Sequence, residues 1–314
     1  MIATVTLNPS LDRHVAVENL VIDDTNRWVS FKSEPGGKGI NVSRVICELG
    51  GRAVAYGFMG GNDGSSLRNI LKRKGVPCDF ISIKNEIRSN FIITDLKTQC
   101  QTRISAPGPR VSDGELKKLV DKITSIKPKP RYMVFAGSVP PGVRFDIYKE
   151  LIAKMKGLGI ITVLDSADLW LQEGIQAKPD IIKPNVREAQ TAIGKELNTE
   201  EDIIKAVKAF ISGGIGIAAI SRGRAGMIIG DKDSIFKVVP PDVQVRSTVG
   251  AGDSTVAGLV LKLSQGGSLE EASRLAVAAG TAATLTSGTE LCHKEDVEKL
   301  LPQVRVERLL FKID

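Results

Sequence analysis

The stretch Ser247-Thr248-Val249-Gly250-Ala251-Gly252-Asp253-Ser254 puts two glycines and a carboxylate at the head of an apolar-periodic segment, where they can do chemistry. Val256, Leu259, Val260 and Leu263 recur at i, i+3, i+4 and i+7, the period of one helix face. Asp242 to Arg246 reads as a strand leading into the turn. Glycines leave backbone N–H groups uncovered, and the first turn of a helix has several with no internal partner. Such a turn carries a partial positive charge and binds phosphate-like anions. In that turn Asp253 stands beside the anion, where it can accept a proton from an attacking hydroxyl. Gly and Asp are equally ordinary capping residues at a helix start, so the local pattern admits both readings.

The elements that would position this turn alternate in type. Strands are predicted over Ile2 to Leu7, Arg52 to Phe58, Tyr132 to Ala136, Ile160 to Leu164, Asp180 to Lys183 and Gly216 to Ser221, with a hairpin over Met227 to Val239. Helices are predicted after Gly39, from Ser65 to Lys74, around Phe145 to Gly157 and from Thr199 to Ser212. Ser112…Glu115 and Ser268…Glu271 are capping boxes at the starts of two more. Strands alternating with helices give an α/β fold, with a central, mostly parallel sheet covered by helices on both faces. Asp12 to Glu34 and Glu86 to Ser105 break the rhythm as strands without helices between them. The expected division is therefore an α/β core of residues 1–11, 35–85 and 106–314, and a small inserted β-sheet lid of residues 12–34 and 86–105. An apolar outer face on that sheet suits pairing with a second subunit.

Composition narrows the function classes. The 314 residues are 42% hydrophobic and 25% charged, as in an ordinary soluble globular protein. Lys+Arg of 43 against Asp+Glu of 36 gives +7, a modest basic balance that suits small anionic substrates. Aromatics at 4% supply little base stacking, which argues against a nucleic-acid partner. Cys47, Cys78, Cys100 and Cys292 are scattered without metal-ligand spacing, and His14 and His293 are too few for a histidine metal site. No apolar run approaches the ~20 residues that span a bilayer. The N-terminus lacks the pattern of a signal peptide, so a cytoplasmic location is expected and no membrane partner.

A second Gly-rich turn, Pro35-Gly36-Gly37-Lys38-Gly39-Ile40-Asn41-Val42-Ser43-Arg44, also opens a helix, and neither it nor the first matches a Walker A or dinucleotide fingerprint. Between the two lie Gly137-Ser138-Val139-Pro140-Pro141-Gly142, Lys183-Pro184-Asn185-Val186-Arg187-Glu188 and Ser221-Arg222-Gly223, and ahead of both lies Leu7-Asn8-Pro9-Ser10-Leu11-Asp12. In this order and combination the chain resembles the PfkB (ribokinase-like) carbohydrate kinase family over essentially its whole length. The opening motif is similar to that of the family's phosphosugar kinases.

The resemblance implies a set of roles. Asp253 would be the base, and the amides of Gly250, Ala251 and Gly252 the anion hole for the transferring phosphoryl group. Asp12, Asn41 and the backbone of Gly37 would bind sugar hydroxyls, with Ser138 lining the cleft. Lys38, Arg88 and Arg103 would meet the sugar phosphate, with Arg27 as the nearby cation of the lid. Arg grips phosphate bidentately; taken singly, Arg88 and Arg103 also read as solvated strand residues. The nucleotide would lie across Lys183, Asn185, Ser221, Gly223 and Gly226, with adenine between Val245 to Val249, Ser247 and Val249 among them, and the helix near Ala279 to Thr286. Asn185 and Glu188 would serve Mg²⁺, although their spacing is equally a capping box. Ala283, Thr286 and Gly288 match positions that hold K⁺ in some members.

The activity implied is ATP- and Mg²⁺-dependent phosphorylation of the 1-hydroxyl of fructose 6-phosphate, in a homodimer joined through the lid sheets. Fructose 1-phosphate and tagatose 6-phosphate are the alternative acceptors, with Arg103 favouring fructose 6-phosphate over both on the strength of the resemblance. An inactive sugar-phosphate sensor on the same fold is the alternative of a different class.

Overall fold

In the computed structural model, which describes residues 1–286, 288 and 290–309, the strands are β1 (Ile2–Thr6), β2 (Ser10–Val17), β3 (Trp28–Gly36), β4 (Ala53–Met59), β5 (Cys78–Ser82), β6 (Arg88–Asp95) and β7 (Gln101–Ile104). They continue as β8 (Tyr132–Ala136), β9 (Ile161–Asp165), β10 (Ile181–Ile182), β11 (Ile217–Ser221), β12 (Met227–Gly230), β13 (Ile235–Val239) and β14 (Arg305–Leu309). The helices are α1 (Lys38–Glu48), α2 (Gly61–Arg73), α3 (Asp113–Thr124), α4 (Ile147–Gly157), α5 (Asp168–Gln176), α6 (Val186–Ile193), α7 (Glu200–Ser212), α8 (Ala251–Ser264), α9 (Leu269–Ala283) and α10 (Lys294–Leu300). The last five residues of the expected 106–314 segment lie outside the described residues.

A ten-stranded sheet runs in the order β14-β13-β12-β11-β10-β9-β8-β1-β4-β5. It is parallel from β11 to β5 and antiparallel from β11 to β14. Side chains of β8 alternate between two cores. Tyr132, Val134 and Ala136 join the cluster under α1, α8 and α9, while Met133 and Phe135 join the one under α3, α4 and α7. That alternation buries both faces of the sheet, as a parallel sheet requires.

A second sheet, ordered β3-β2-β6-β7, contains the strands that interrupt the α/β rhythm. Its outer surface exposes Trp28, Val29, Phe31, Phe91 and Ile104. Arg13 anchors it to α2 through Asp63, with Nη2 2.7 Å from the carboxylate.

Two local readings change. Asp242 to Arg246 forms no strand: it follows Pro240-Pro241, whose nitrogens carry no hydrogen to donate, and the valines at 243 and 245 line the wall of a cavity. The edge strand β14, which the sequence reading did not anticipate, pairs with β13 from Ile235↔Leu309 to Val239↔Arg305.

Candidate active site

The carboxyl ends of the central parallel strands, where open α/β sheets place ligands, face two adjoining cavities. The larger, about 970 Å³, is lined by the Gly250–Asp253 turn and by Lys38, Arg103, Lys183, Asn185, Glu188, Ser221, Gly223, Gly226 and Val249. The smaller, about 260 Å³, is lined by Gly37, Lys38, Arg88, Ser138 and Glu188, together with Thr6, Asn8 and Trp170. Lys38 and Glu188 border both, so the two cavities meet beside them.

Gly250 is the N-cap of α8 in a left-handed conformation, φ 76°. A Cβ there would lie 2.4 Å from Leu291 Cδ2, so both backbone and space demand glycine. No side chain caps this helix. Its first-turn residues Gly250 to Asp253 line the cavity, and the unpaired N–H groups of such a turn suit an anion. Asp253 does not act as a cap either. Its carboxylate accepts from Nδ2 of Asn41 at 2.8 Å, a contact across the whole chain from α1 to α8.

Burial pushes the Asp253 carboxyl up to about 6; Lys38, Asn41 and Lys183 oppose the rise and Asp165 adds to it. A base poised near neutral pH suits proton abstraction from a sugar hydroxyl. Asp165, at the end of β9, joins the site without a motif in the sequence to mark it. Its Oδ1 lies 3.4 Å from both Lys38 Nζ and Lys183 Nζ. Burial alone would lower the Lys38 ammonium, but the charges of Asp165, Asp253 and Glu188 outweigh it and raise it. A carboxylate closing a buried strand at the sheet's carboxyl edge was the available signal.

Three buried polar atoms, Thr6 Oγ1, Asn8 Oδ1 and Arg88 Nε, have no hydrogen-bond partner among the described residues. All three belong to residues lining the smaller cavity. Buried polar groups are rarely left unpaired without a ligand or water to meet them. The Arg88 guanidinium is otherwise fixed by the carbonyls of Ala106 and Asn8, at 3.2 and 3.0 Å. Gly37 takes φ 111°, and its turn leads directly into α1.

Asn185 and Glu188 form the capping box of α6: Asn185 Oδ1 accepts from the Glu188 amide at 2.9 Å and Glu188 Oε2 from the Asn185 amide at 2.8 Å. Among the described residues no group of three His, Cys, Asp or Glu side chains converges tightly enough to hold a metal alone. The all-oxygen pair of Asn185 and Glu188 beside the anion turn fits Mg²⁺, which takes few protein ligands and keeps waters and phosphate oxygens.

Other expected residues stand outside the cavity walls. Asp12 is buried, accepting from Ser10 Oγ at 2.7 Å and Asn90 Nδ2 at 2.8 Å. Asn41 acts on Asp253 from behind. Arg27 lies in the exposed segment 21–27. Ser247 donates to the Gly288 carbonyl at 3.0 Å, and Thr286 to the carbonyls of Ala283 and Glu290 at 3.0 and 2.6 Å. These hydroxyls brace the loop behind the cavity rather than line it.

A family model described as pfkB family carbohydrate kinase matches residues 7–296. The chain belongs to the PfkB family of carbohydrate kinases. Among PfkB relatives, the ATP-dependent 6-phosphofructokinase isozyme 2 of Escherichia coli (strain K12) is 35% identical over 95% of this chain and 97% of its own length. The 1-phosphofructokinase of Borreliella burgdorferi is also 35% identical, over 98% of both chains. The crystal structure of E. coli phosphofructokinase-2 in complex with potassium has a TM-score of 0.93 at 35% identity, covering 96% of this chain and 98% of that one. This PfkB chain thus has the ribokinase-like fold and stands among the phosphosugar kinases.

Proposed function

We propose that the protein transfers the γ-phosphoryl group of ATP to the 1-hydroxyl of fructose 6-phosphate, giving fructose 1,6-bisphosphate. The observation that carries this reading is a pair of cavities that share Lys38 and Glu188 as walls, the larger of which also holds the buried Asp253 carboxylate and the uncapped first turn of α8. The nucleotide occupies the larger cavity, with its terminal phosphate on the amides of Gly250, Ala251 and Gly252. The sugar occupies the smaller, its hydroxyls meeting Thr6, Asn8 and Gly37, and its phosphate lies between Arg88 of the smaller cavity and Arg103 on the wall of the larger. Asp253 withdraws the proton of the attacking hydroxyl, while Lys38 and Lys183 offset the charge that develops on the phosphoryl oxygens. Positioning and electrostatics of this kind supply most of the acceleration in phosphoryl transfer.

Family membership implies ATP and usually Mg²⁺. The metal neutralises phosphate charge when bound, and Asn185 and Glu188 are the residues that would hold it, largely through waters. Ala283, Thr286 and Gly288 are kept as a K⁺ site on the strength of the potassium complex of the E. coli relative; a rate rise in KCl over equal NaCl is the check. A homodimer through the exposed apolar face of the small sheet and a cytoplasmic location complete the proposal. For the latter, no helix among the described residues is long and apolar enough to cross a membrane.

Fructose 1-phosphate is the second reading, because relatives of both names match equally well. Arg103 lines the larger cavity from β7 and favours a 6-phosphate acceptor. Turnover measured side by side on fructose 6-phosphate, fructose 1-phosphate and tagatose 6-phosphate, each with ATP and other phosphate donors, tests this. The highest kcat/KM on fructose 1-phosphate would replace the first reading with the second.

A further inference from the structure

Behind Asp253 runs a chain of buried polar groups that ends in the small sheet. Asn41 Nδ2 donates to Asp253 Oδ2 at 2.8 Å. Asn41 Oδ1 accepts from Arg44 Nη1 at 3.2 Å, and the same nitrogen also donates to the Pro35 carbonyl at 2.9 Å. Arg44 Nη2 donates to Glu34 Oε2 at 3.0 Å. Asn41, Arg44 and Glu34 are 7%, 8% and 3% exposed, so water does not supply substitutes for these bonds. Glu34 lies in β3, and its carboxylate is also held by Lys32 at 2.9 Å and Lys74 at 3.4 Å.

A side-chain amide can face a carboxylate in two ways that differ by a half-turn and have almost the same shape. With the nitrogen forward it donates to Asp253; with the oxygen forward it sets one acceptor against another. Nothing in Asn41 itself chooses between them. Arg44 does, because a guanidinium has only donors. It can bind only the oxygen of the amide, which forces the nitrogen toward Asp253. The three-residue spacing of Asn41 and Arg44 on α1 puts both on one helix face. Glu34 and the Pro35 carbonyl fix the guanidinium in turn.

We infer that Arg44, held by Glu34, is a positioning residue that sets the orientation of the Asn41 amide and, through it, the rotamer and charge of Asp253. The inference rests on Asp253 being the base of the proposed reaction. Arg44 touches neither cavity, so its effect belongs to turnover rather than to affinity. The groups facing Asp253 are Lys38 and Asn41 from α1, Asp165 from the end of β9 and Lys183 after β10. Those facing Arg44 are Glu34, Asp12, Glu290 and Asp253. An arginine keeps its proton throughout, so any change in the acidic limb of the rate profile reports Asp253.

The test is a double-mutant cycle between Arg44 and Asn41, read as kcat, both KM values and the pH dependence of kcat with Mg-ATP and fructose 6-phosphate. Arg44→Met frees the amide to turn. It should lower kcat about 10-fold or more, leave both KM values within about 3-fold and move the acidic limb upward. Arg44→Gln, which still offers a donor to Asn41 Oδ1, should recover part of that loss. In an Asn41→Ala background, Arg44→Met should cost less than about 2-fold, because its effect passes through the amide. Losses that multiply independently in the cycle, or an R44M enzyme with unchanged kcat and an unmoved limb, overturn the inference. If R44M is recovered unfolded, the paired change Glu34→Gln with Arg44→Met, which leaves no unpaired buried carboxylate behind, carries the same cycle. Asp253→Asn separates the two levels: activity retained in D253N removes the base itself, whereas an inactive D253N with an unaffected R44M removes only the role of Arg44.

Discussion

Lys183 Nζ and Asp165 Oδ1 lie 3.4 Å apart at the carboxyl edge of the sheet, both almost wholly buried. The same oxygen is 3.4 Å from Lys38 Nζ, so one carboxylate holds two ammonium groups beside the anion turn. The arrangement keeps two cations in place before any phosphate arrives. A buried ammonium without a partner is costly, and a pair once formed is costly to break.

Asp165→Asn should therefore loosen both lysines and lower kcat, by roughly 10-fold or more. Its pH signature has a definite sign. Asp165 raises the Asp253 carboxyl, so its removal should shift the acidic limb of the kcat profile to lower pH. A limb that moves upward in D165N would contradict the arrangement.

The raised Asp253 carboxyl links activity and stability to pH in opposite directions. Turnover should fall as pH drops through about 6, where the base becomes protonated. Stability runs the other way. From the ordinary 3.8 to about 6 the folded protein binds a proton that the unfolded chain has released, so stability from this group is present below that window and lost as pH rises through it. Chemical denaturation at a series of pH values should show wild type losing stability relative to Asp253→Asn between about pH 4 and pH 7. A constant difference across that range would mean that the carboxyl is not perturbed.

Arg103 reaches the larger cavity from an exposed strand of the small sheet. Arg103→Ala should raise the KM for fructose 6-phosphate about 10-fold or more while leaving that for ATP within about 2-fold. Steady-state kinetics with each substrate varied in turn is the check. An unchanged sugar KM removes the reason for preferring fructose 6-phosphate.

Gly250→Ala tests the turn itself. The left-handed backbone and the 2.4 Å approach of Leu291 should together cost roughly 1–3 kcal/mol of stability. The same change tilts the amides, so kcat should drop beyond what partial unfolding explains. Thermal melts and kcat measured on one preparation separate the two effects.

The sheet and the two Gly-rich turns were readable because their signals are local: apolar runs for the buried strands, capping boxes at α3 and α9, glycines where helices begin. Cys78–Ser82 was not, because that strand mixes exposed and buried positions at the sheet edge without clear alternation. Helix α5 starts at Asp168 with φ 51° and no side-chain cap, so it carries no starting signal. Asp242 to Arg246 alternates like a strand, yet no partner strand runs beside it among the described residues. The site divides along similar lines. Asp253 and Asn41 sit in motifs, whereas Asp165 and the partnership of Arg44 with Glu34 depend on contacts between distant elements that spacing does not encode. Ser247 and Thr286 carry motif positions, but their hydroxyls are taken by neighbouring carbonyls.

The most direct test of Asp253 as the base at the phosphoryl-transfer turn is single-turnover transfer from ATP to fructose 6-phosphate in Asp253→Asn, alongside calorimetric titration with nucleotide. The expected result is a transfer rate at least about 10²-fold below wild type with nucleotide affinity within about 3-fold. Transfer at the wild-type rate with nucleotide bound would contradict it.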